Sequence, residues 1–130
     1  MTDKLFLLSI NEYKTYKAKI PHINTWWWLR SPGGDSRSAA GVDDDGSVDY
    51  YGDFVYFNDF AVRPALKLES NNLQIGDRIA KYQFPWIYIG DNLAIAEVPI
   101  AFRWFDAKDS NYETSEIKKF LNDWLKEREE

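Results

Sequence analysis

Asp43, Asp44, Asp45, Ser47 and Asp49 fall within seven residues, and carboxylates at such short spacing are what a hard cation such as calcium would use. A calcium loop of the EF type would need an acidic first ligand where Gly41 stands, and a closing glutamate that is absent. The run reads more simply as a tight turn with solvated acids and Asp45-Gly46 at its tip. Asp49 and Asp53 could share general acid–base work if one were desolvated, but nothing upstream offers a nucleophile or an oxyanion site. His22 is the only histidine, and there is no cysteine. Thiolate nucleophiles, disulfides and cysteine-ligated metals are thereby removed. No catalytic residue, metal or cofactor is expected, and the chain is not read as an enzyme.

A second set of residues suits recognition instead. Asp35, Ser36, Arg37, Ser38, Asp49, Tyr51, Asp53, Tyr56, Asn58 and Asp59 would share one hairpin face. Tyrosine gives contact area at low entropy cost, while Ser, Asn and Asp give adaptable hydrogen bonds. Tyr51 and Tyr56 would anchor a partner and the acids would select it. The expected partner is a protein, a basic one if charge decides, with a glycan as second choice. Two other readings stay open: an acidic phage-encoded inhibitor of a host defence protein, and a structural part of a phage or secretion assembly. Either a monomer or a homodimer would serve.

The elements that must position this face follow from periodicity and turn chemistry. Leu5 to Leu8 reads as a buried strand. Ser9 to Glu12 is a capping box, opening a short helix to about Lys17 that Pro21 ends. From Ala39 to Leu68 the period is two, with reversals expected at Asp45-Gly46, Gly52-Asp53 and Asn58-Asp59. Val48 and Tyr50 would face one way and Ser47, Asp49 and Tyr51 the other; Val55 and Phe57 would alternate with Phe54 and Tyr56. A last strand over 60–68 would close the meander. Further on, Gly90-Asp91-Asn92 joins two apolar segments as a hairpin, and residues 107–111 are loop. Ile117, Phe120, Leu121, Trp124 and Leu125 fall on one face of a C-terminal helix capped by Thr114 or Ser110.

The chain has 130 residues, one domain's worth, and a net charge of −5. That balance argues against binding nucleic acid through its phosphates. Aromatics make up 17% of residues, so flat rings must dominate the core. Trp26, Trp27 and Trp28 cannot all face one side of a strand, and Trp26 is expected to be the outlier. Arg30 and Arg63 are expected to bridge carbonyls or a carboxylate. No stretch reaches membrane-spanning length, and no signal peptide is expected, so the protein is placed in the cytoplasm or in a phage particle.

Three pieces, Phe6-Leu7-Leu8-Ser9 with Glu12, Trp27 through Gly33, and Val62 through Leu66, resemble a family of bacterial and phage domains carrying a WWLRSPG…VRPAL signature. That family is related to the formylglycine-generating-enzyme branch of the C-type-lectin-like fold. Residues 113–122 resemble a helix usually found near the start of such domains. The resemblance implies an α+β fold with a twisted antiparallel sheet and two helices. The pieces come in a different order here, as in a circularly permuted single domain over 1–130 with its seam near 70–75. The other arrangement is the end of one domain joined to the start of another, completed by exchange in a dimer. The enzymes of that superfamily hold copper with cysteines or iron with several histidines, and this chain lacks both sets. Some of its lectin-like members diversify exposed positions on a fixed frame, which favours a recognition role.

Overall fold

The structure, a computed structural model, describes residues 3–129. It is a mixed α+β fold with two α-helices and two five-stranded sheets among the described residues. The strands are β1 (Leu5–Phe6), β2 (Trp27–Pro32), β3 (Ser38–Val42), β4 (Val48–Phe54), β5 (Ala61–Val62), β6 (Ala65–Lys67), β7 (Arg78–Lys81), β8 (Phe84–Gly90), β9 (Leu93–Ala96) and β10 (Ala101–Phe102). Helix α1 is Ile10–Tyr16 and α2 is Glu116–Arg128. One sheet has the order β1-β6-β9-β8-β7 and the other β10-β5-β2-β3-β4. Each sheet therefore draws strands from both sides of the 70–75 segment.

A period of two sorts the apolar residues between two cores. Leu5, Leu7, Trp28, Val62, Leu66, Trp86, Ala94 and Ala96 meet the buried face of α2 in one cluster. Phe6, Leu8, Trp27, Leu29, Ala61, Ala65, Ile89 and Ile95 meet Tyr13 of α1 in the other. Adjacent residues thus serve opposite faces, and strands buried on both faces read as continuous apolar runs. Trp27 and Trp28 are fully buried on opposite sides of β2. Trp26 is the half-buried one, its ring edge-on to Trp28 and tilted over Phe60.

The expected last strand over 60–68 is two strands in different sheets. Pro64 has no N–H to carry one ladder through, so the chain leaves β5 at Val62 and enters β6 at Ala65. Nor is the whole stretch a meander. The strands β2, β3 and β4 form one, but β5 returns to the far side of β2 and pairs with it in parallel, Trp27 opposite Ala61. Arg63 is buried at the crossing, where its Nε donates to the Ala96 carbonyl at 2.7 Å. Only Leu5 and Phe6 of the first apolar run pair as a strand; Leu7 and Leu8 continue it as buried chain.

Both helix starts are built from side chains. Ser9 Oγ accepts from the Glu12 N–H and Glu12 accepts from the Ser9 N–H, which completes the capping box. Glu12 also pairs with Arg30, whose Nη1 donates to the Leu7 carbonyl at 2.9 Å. Helix α2 is capped by Ser115, not by Thr114 or Ser110: Ser115 Oγ accepts from the Lys118 N–H at 3.1 Å. Several candidate caps stand close together there, and Tyr112–Thr114 is taken up by a 3-10 turn. Asp106 holds the preceding loop, accepting from the N–H groups of Lys108, Asp109 and Glu116. Burial works to raise its pKa, but these three donors outweigh that and hold it below the ordinary aspartate value.

Ser115→Ala should cost about 1–2 kcal/mol in urea denaturation, whereas Thr114→Ala should stay within about 0.5 kcal/mol. A second expectation concerns acid. Burial pushes the Glu12 carboxyl up, but the Arg30 and Ser9 hydrogen bonds prevail and its pKa lies below the ordinary 4.5. Its contribution is therefore complete above that value and is lost as pH falls through the lower folded one. Glu12→Gln should lose less stability than the parent between about pH 7 and about pH 3.

Candidate functional site

The ten residues expected to form one face fall into four groups. Asp35, Ser36 and Arg37 make the exposed turn between β2 and β3, with Asp35 Oδ1 accepting from the Arg37 N–H at 2.9 Å. Ser38, also expected on the face, is buried. Its backbone pairs with Phe54, and its carbonyl accepts from the Gly33 N–H at 2.6 Å. It is a strand residue that cannot meet a partner. Tyr51, Tyr56, Asn58 and Asp59 are exposed.

Asp49 and Asp53 are half-buried. Asp49 is committed internally, because Oδ2 accepts from Trp26 Nε1 at 3.1 Å and Oδ1 from the Gly52 N–H at 2.9 Å. That carboxylate positions the strand rather than selecting a ligand. Asp53 Oδ1 accepts from the Phe54 N–H.

The expected reversal at Gly52-Asp53 is absent, since β4 runs on to Phe54. Gly52 instead sits inside the strand with φ +73°, where a Cβ would lie 1.9 Å from the Ala39 carbonyl oxygen. Between the pairs Ala39–Asp53 and Gly41–Asp49, three residues of β4 oppose one of β3. Glycine inside a strand marks a bulge as readily as a turn. The bulge upsets simple alternation: Tyr50 and Tyr51 are both exposed, and the Lys14 ammonium lies 4.8 Å from the Tyr50 ring. Tyr51, at 81% exposed, lies beside Gly34, whose N–H donates to the Tyr51 carbonyl.

The next turn comes earlier than Asn58-Asp59. The Phe57 N–H donates to the Phe54 carbonyl at 3.1 Å, and Val55 drops into the core. This brings Phe57, which alternation would have set on the opposite face, together with Phe54 and Tyr56. Phe54 and Tyr56 stack at 5.3 Å, and Phe57 stands edge-on to both at 5.6 and 5.4 Å. All three are exposed. Beside them Asn58 borders an open groove of about 470 Å³ with Phe102, Arg103, Trp104 and Glu116. Phe54, Phe57 and Phe102 were missed in the sequence, although aromatic density from Tyr50 to Phe60 was there to be read.

The acidic run forms its expected turn: Asp45 Oδ1 accepts from the Ser47 N–H at 2.9 Å and from its Oγ at 2.6 Å. The Ser47 hydroxyl, then its N–H, holds the Asp45 carboxyl below the usual range. Burial, with Asp49 and Asp45 nearby, pushes Asp43 above it. Among the described residues no three His, Asp or Glu side chains gather as metal ligands do. No helix among them is long and apolar enough to cross a membrane.

A family model described as Domain of unknown function (DUF6273) matches residues 1–70, just over half of the chain. The chain belongs to that family. The DUF6273 match takes in α1 and β1 through β6, and with them the aromatic cluster and the buried crossing at Arg63. It leaves out β7 to β10 and α2, which complete both sheets and one core. No curated protein and no solved structure matches the chain.

Gly52→Ala should destabilise the domain by about 2 kcal/mol or more, because both the φ and the Ala39 carbonyl resist a side chain. Thermal unfolding followed by near-UV dichroism would register it.

Proposed function

We propose that this domain is a non-catalytic recognition module that binds a protein through the aromatic face of β4 and the turn after it. The carrying observation is the exposed, mutually packed cluster of Phe54, Tyr56 and Phe57, with Tyr51 almost bare nearby. A single exposed ring is ordinary, but a contiguous apolar patch marks an interaction site. Aromatic rings are also the side chains that most often anchor protein interfaces. Asp35, Asp53 and Asp59 surround this patch in sequence and form no ion pair among the described residues, which favours a partner presenting lysine or arginine.

The frame in this reading is C-type-lectin-like, with its pieces in permuted order. Its support is the WWLRSPG and VRPAL motifs together with a two-helix, two-sheet architecture. The first motif supplies the paired indoles and the second the crossing between sheets, so both build scaffold rather than chemistry.

Tyr51→Ala combined with Tyr56→Ala should weaken capture of the partner from a lysate of the source organism by about 100-fold, the loss of two anchors. Stability should change little, since both side chains are exposed. Raising the salt should weaken capture by the parent if acids select the partner. Undiminished capture by the double variant would remove this face from consideration.

A further inference from the structure

We propose that β7 is an interface between two copies of this chain, in which the strand pairs antiparallel with its own counterpart, centred on Ile79, and joins their two sheets into one. The strands at sheet borders are β1, β7, β10 and β4. Of these, β1 and β10 each span two residues, and β4 is interrupted at Gly52. Strand β7 has neither a proline nor a positive φ, and its Arg78, Ala80 and Lys81 are exposed. A border strand with open N–H and C=O groups is a template for another strand.

The backbone bonds to β8 fix which groups of β7 are open. The Tyr88 N–H donates to the Asp77 carbonyl at 2.8 Å, so Asp77, and by alternation Ile79 and Lys81, turn their backbone groups towards β8. Ala80 lies opposite Pro85, whose carbonyl accepts from the Glu97 N–H on its other side. Arg78 and Ala80 therefore point their own N–H and C=O outward. Two antiparallel copies exchange hydrogen bonds only where an outward residue faces an outward one. Pairing about Ile79 does this, with Arg78 opposite Ala80 of the second copy and the reverse by symmetry. Centring on Ala80 or on Arg78 would bring in Tyr82 or Gly76, which leave the strand at φ 56° and 96°.

Charge is what favours a second copy over a foreign strand. In this register Asp77 lies across from Lys81 of the other copy at both ends of the pairing, on the face that carries Ile79. Asp77 Oδ2 accepts from the Gln74 N–H at 2.9 Å, which leaves Oδ1 for a partner. The Lys81 ammonium lies 5.6 Å from the centre of the Tyr82 ring. Neither Asp77 nor Lys81 forms an ion pair among the described residues. Opposite charges across a strand pair are favourable and like charges are not. Arg78 is already paired with Glu97 and would face only an alanine. An open groove of about 420 Å³ borders the strand, with Ile79, Ala80, Phe84 and Pro85 in its wall, so the border offers apolar surface as well as backbone. A two-fold pairing uses the same border on both copies and closes at the dimer.

Sedimentation equilibrium of the full chain up to about 1 mM tests this, since so short an interface predicts a monomer–dimer equilibrium with a Kd of about 100 μM. Lys81→Asp alone, or Asp77→Lys alone, sets like charges across the pairing and should weaken dimerisation at least about tenfold. When the two variants are mixed, acid again faces base at both ends, and a mixed dimer should form with the parent's affinity. Ala80→Pro removes an outward N–H without breaking a bond to β8 and should leave a monomer throughout. Should that variant fold poorly, the charge variants still decide the matter. Tyr51→Ala with Tyr56→Ala should dimerise as the parent does, so this interface and the recognition face are tested separately. A parent chain that stays monomeric up to about 1 mM would overturn the proposal. So would a dimer indifferent to both charge variants, a mixture that fails to recover it, or growth into open-ended polymers.

Discussion

Between Val62 and Ala65 the chain steps out of one sheet and into the other, and a small set of hydrogen bonds closes the step. Arg63 Nε reaches the Ala96 carbonyl, while the Ala96 N–H donates to the Pro64 carbonyl at 3.0 Å. Strand β9 is thereby tied to the crossing from both of its backbone groups at one residue. Val62 lies against the core under α2, and Ala61 and Ala65 lie against the core beside α1. A change in this segment would be felt in both sheets and both cores at once, as expected where packing is dense on every side.

The same segment shows what could and could not be read from residue order. Alternation of apolar residues located the strands and the capping box located α1, because both signals are local. The hairpin at Gly90-Asp91-Asn92 was legible for the same reason, and all three residues adopt positive φ there. Partner choice between strands was not. Nothing in residues 60–68 says that two strands belong to different sheets, except a proline whose missing N–H can end a ladder or merely edge it. Arg63 was expected to bridge carbonyls or a carboxylate, and its Nε reaches one carbonyl, but its contacts with Ala96 and Trp27 come from residues more than thirty positions away in either direction.

Around the aromatic face, Tyr51 and Tyr56 are exposed as their alternation implied, but the local geometry differs from simple alternation. Asp49 had the composition of a contact residue, yet both of its oxygens hold the protein's own groups. Ser38 belonged to an exposed-looking polar run but lies under the strand pairing. Conversely Phe54 and Phe57 had seemed to face opposite ways, and a turn at Val55 brought them together. Polar side chains next to turns are ambiguous in this way, because the backbone donors that a turn leaves open compete with any outside partner.

Gly52 carries a consequence for the protein's life at high concentration. Strand β4 lies at the border of its sheet, with exposed rings along and just beyond it, a combination that invites edge-to-edge stacking of many copies. The left-handed residue in its middle breaks the row of unpaired backbone groups into two short pieces, and neither is a good template for another chain. The domain can thus display sticky side chains while denying neighbours a continuous ladder, and so resist growing into fibres.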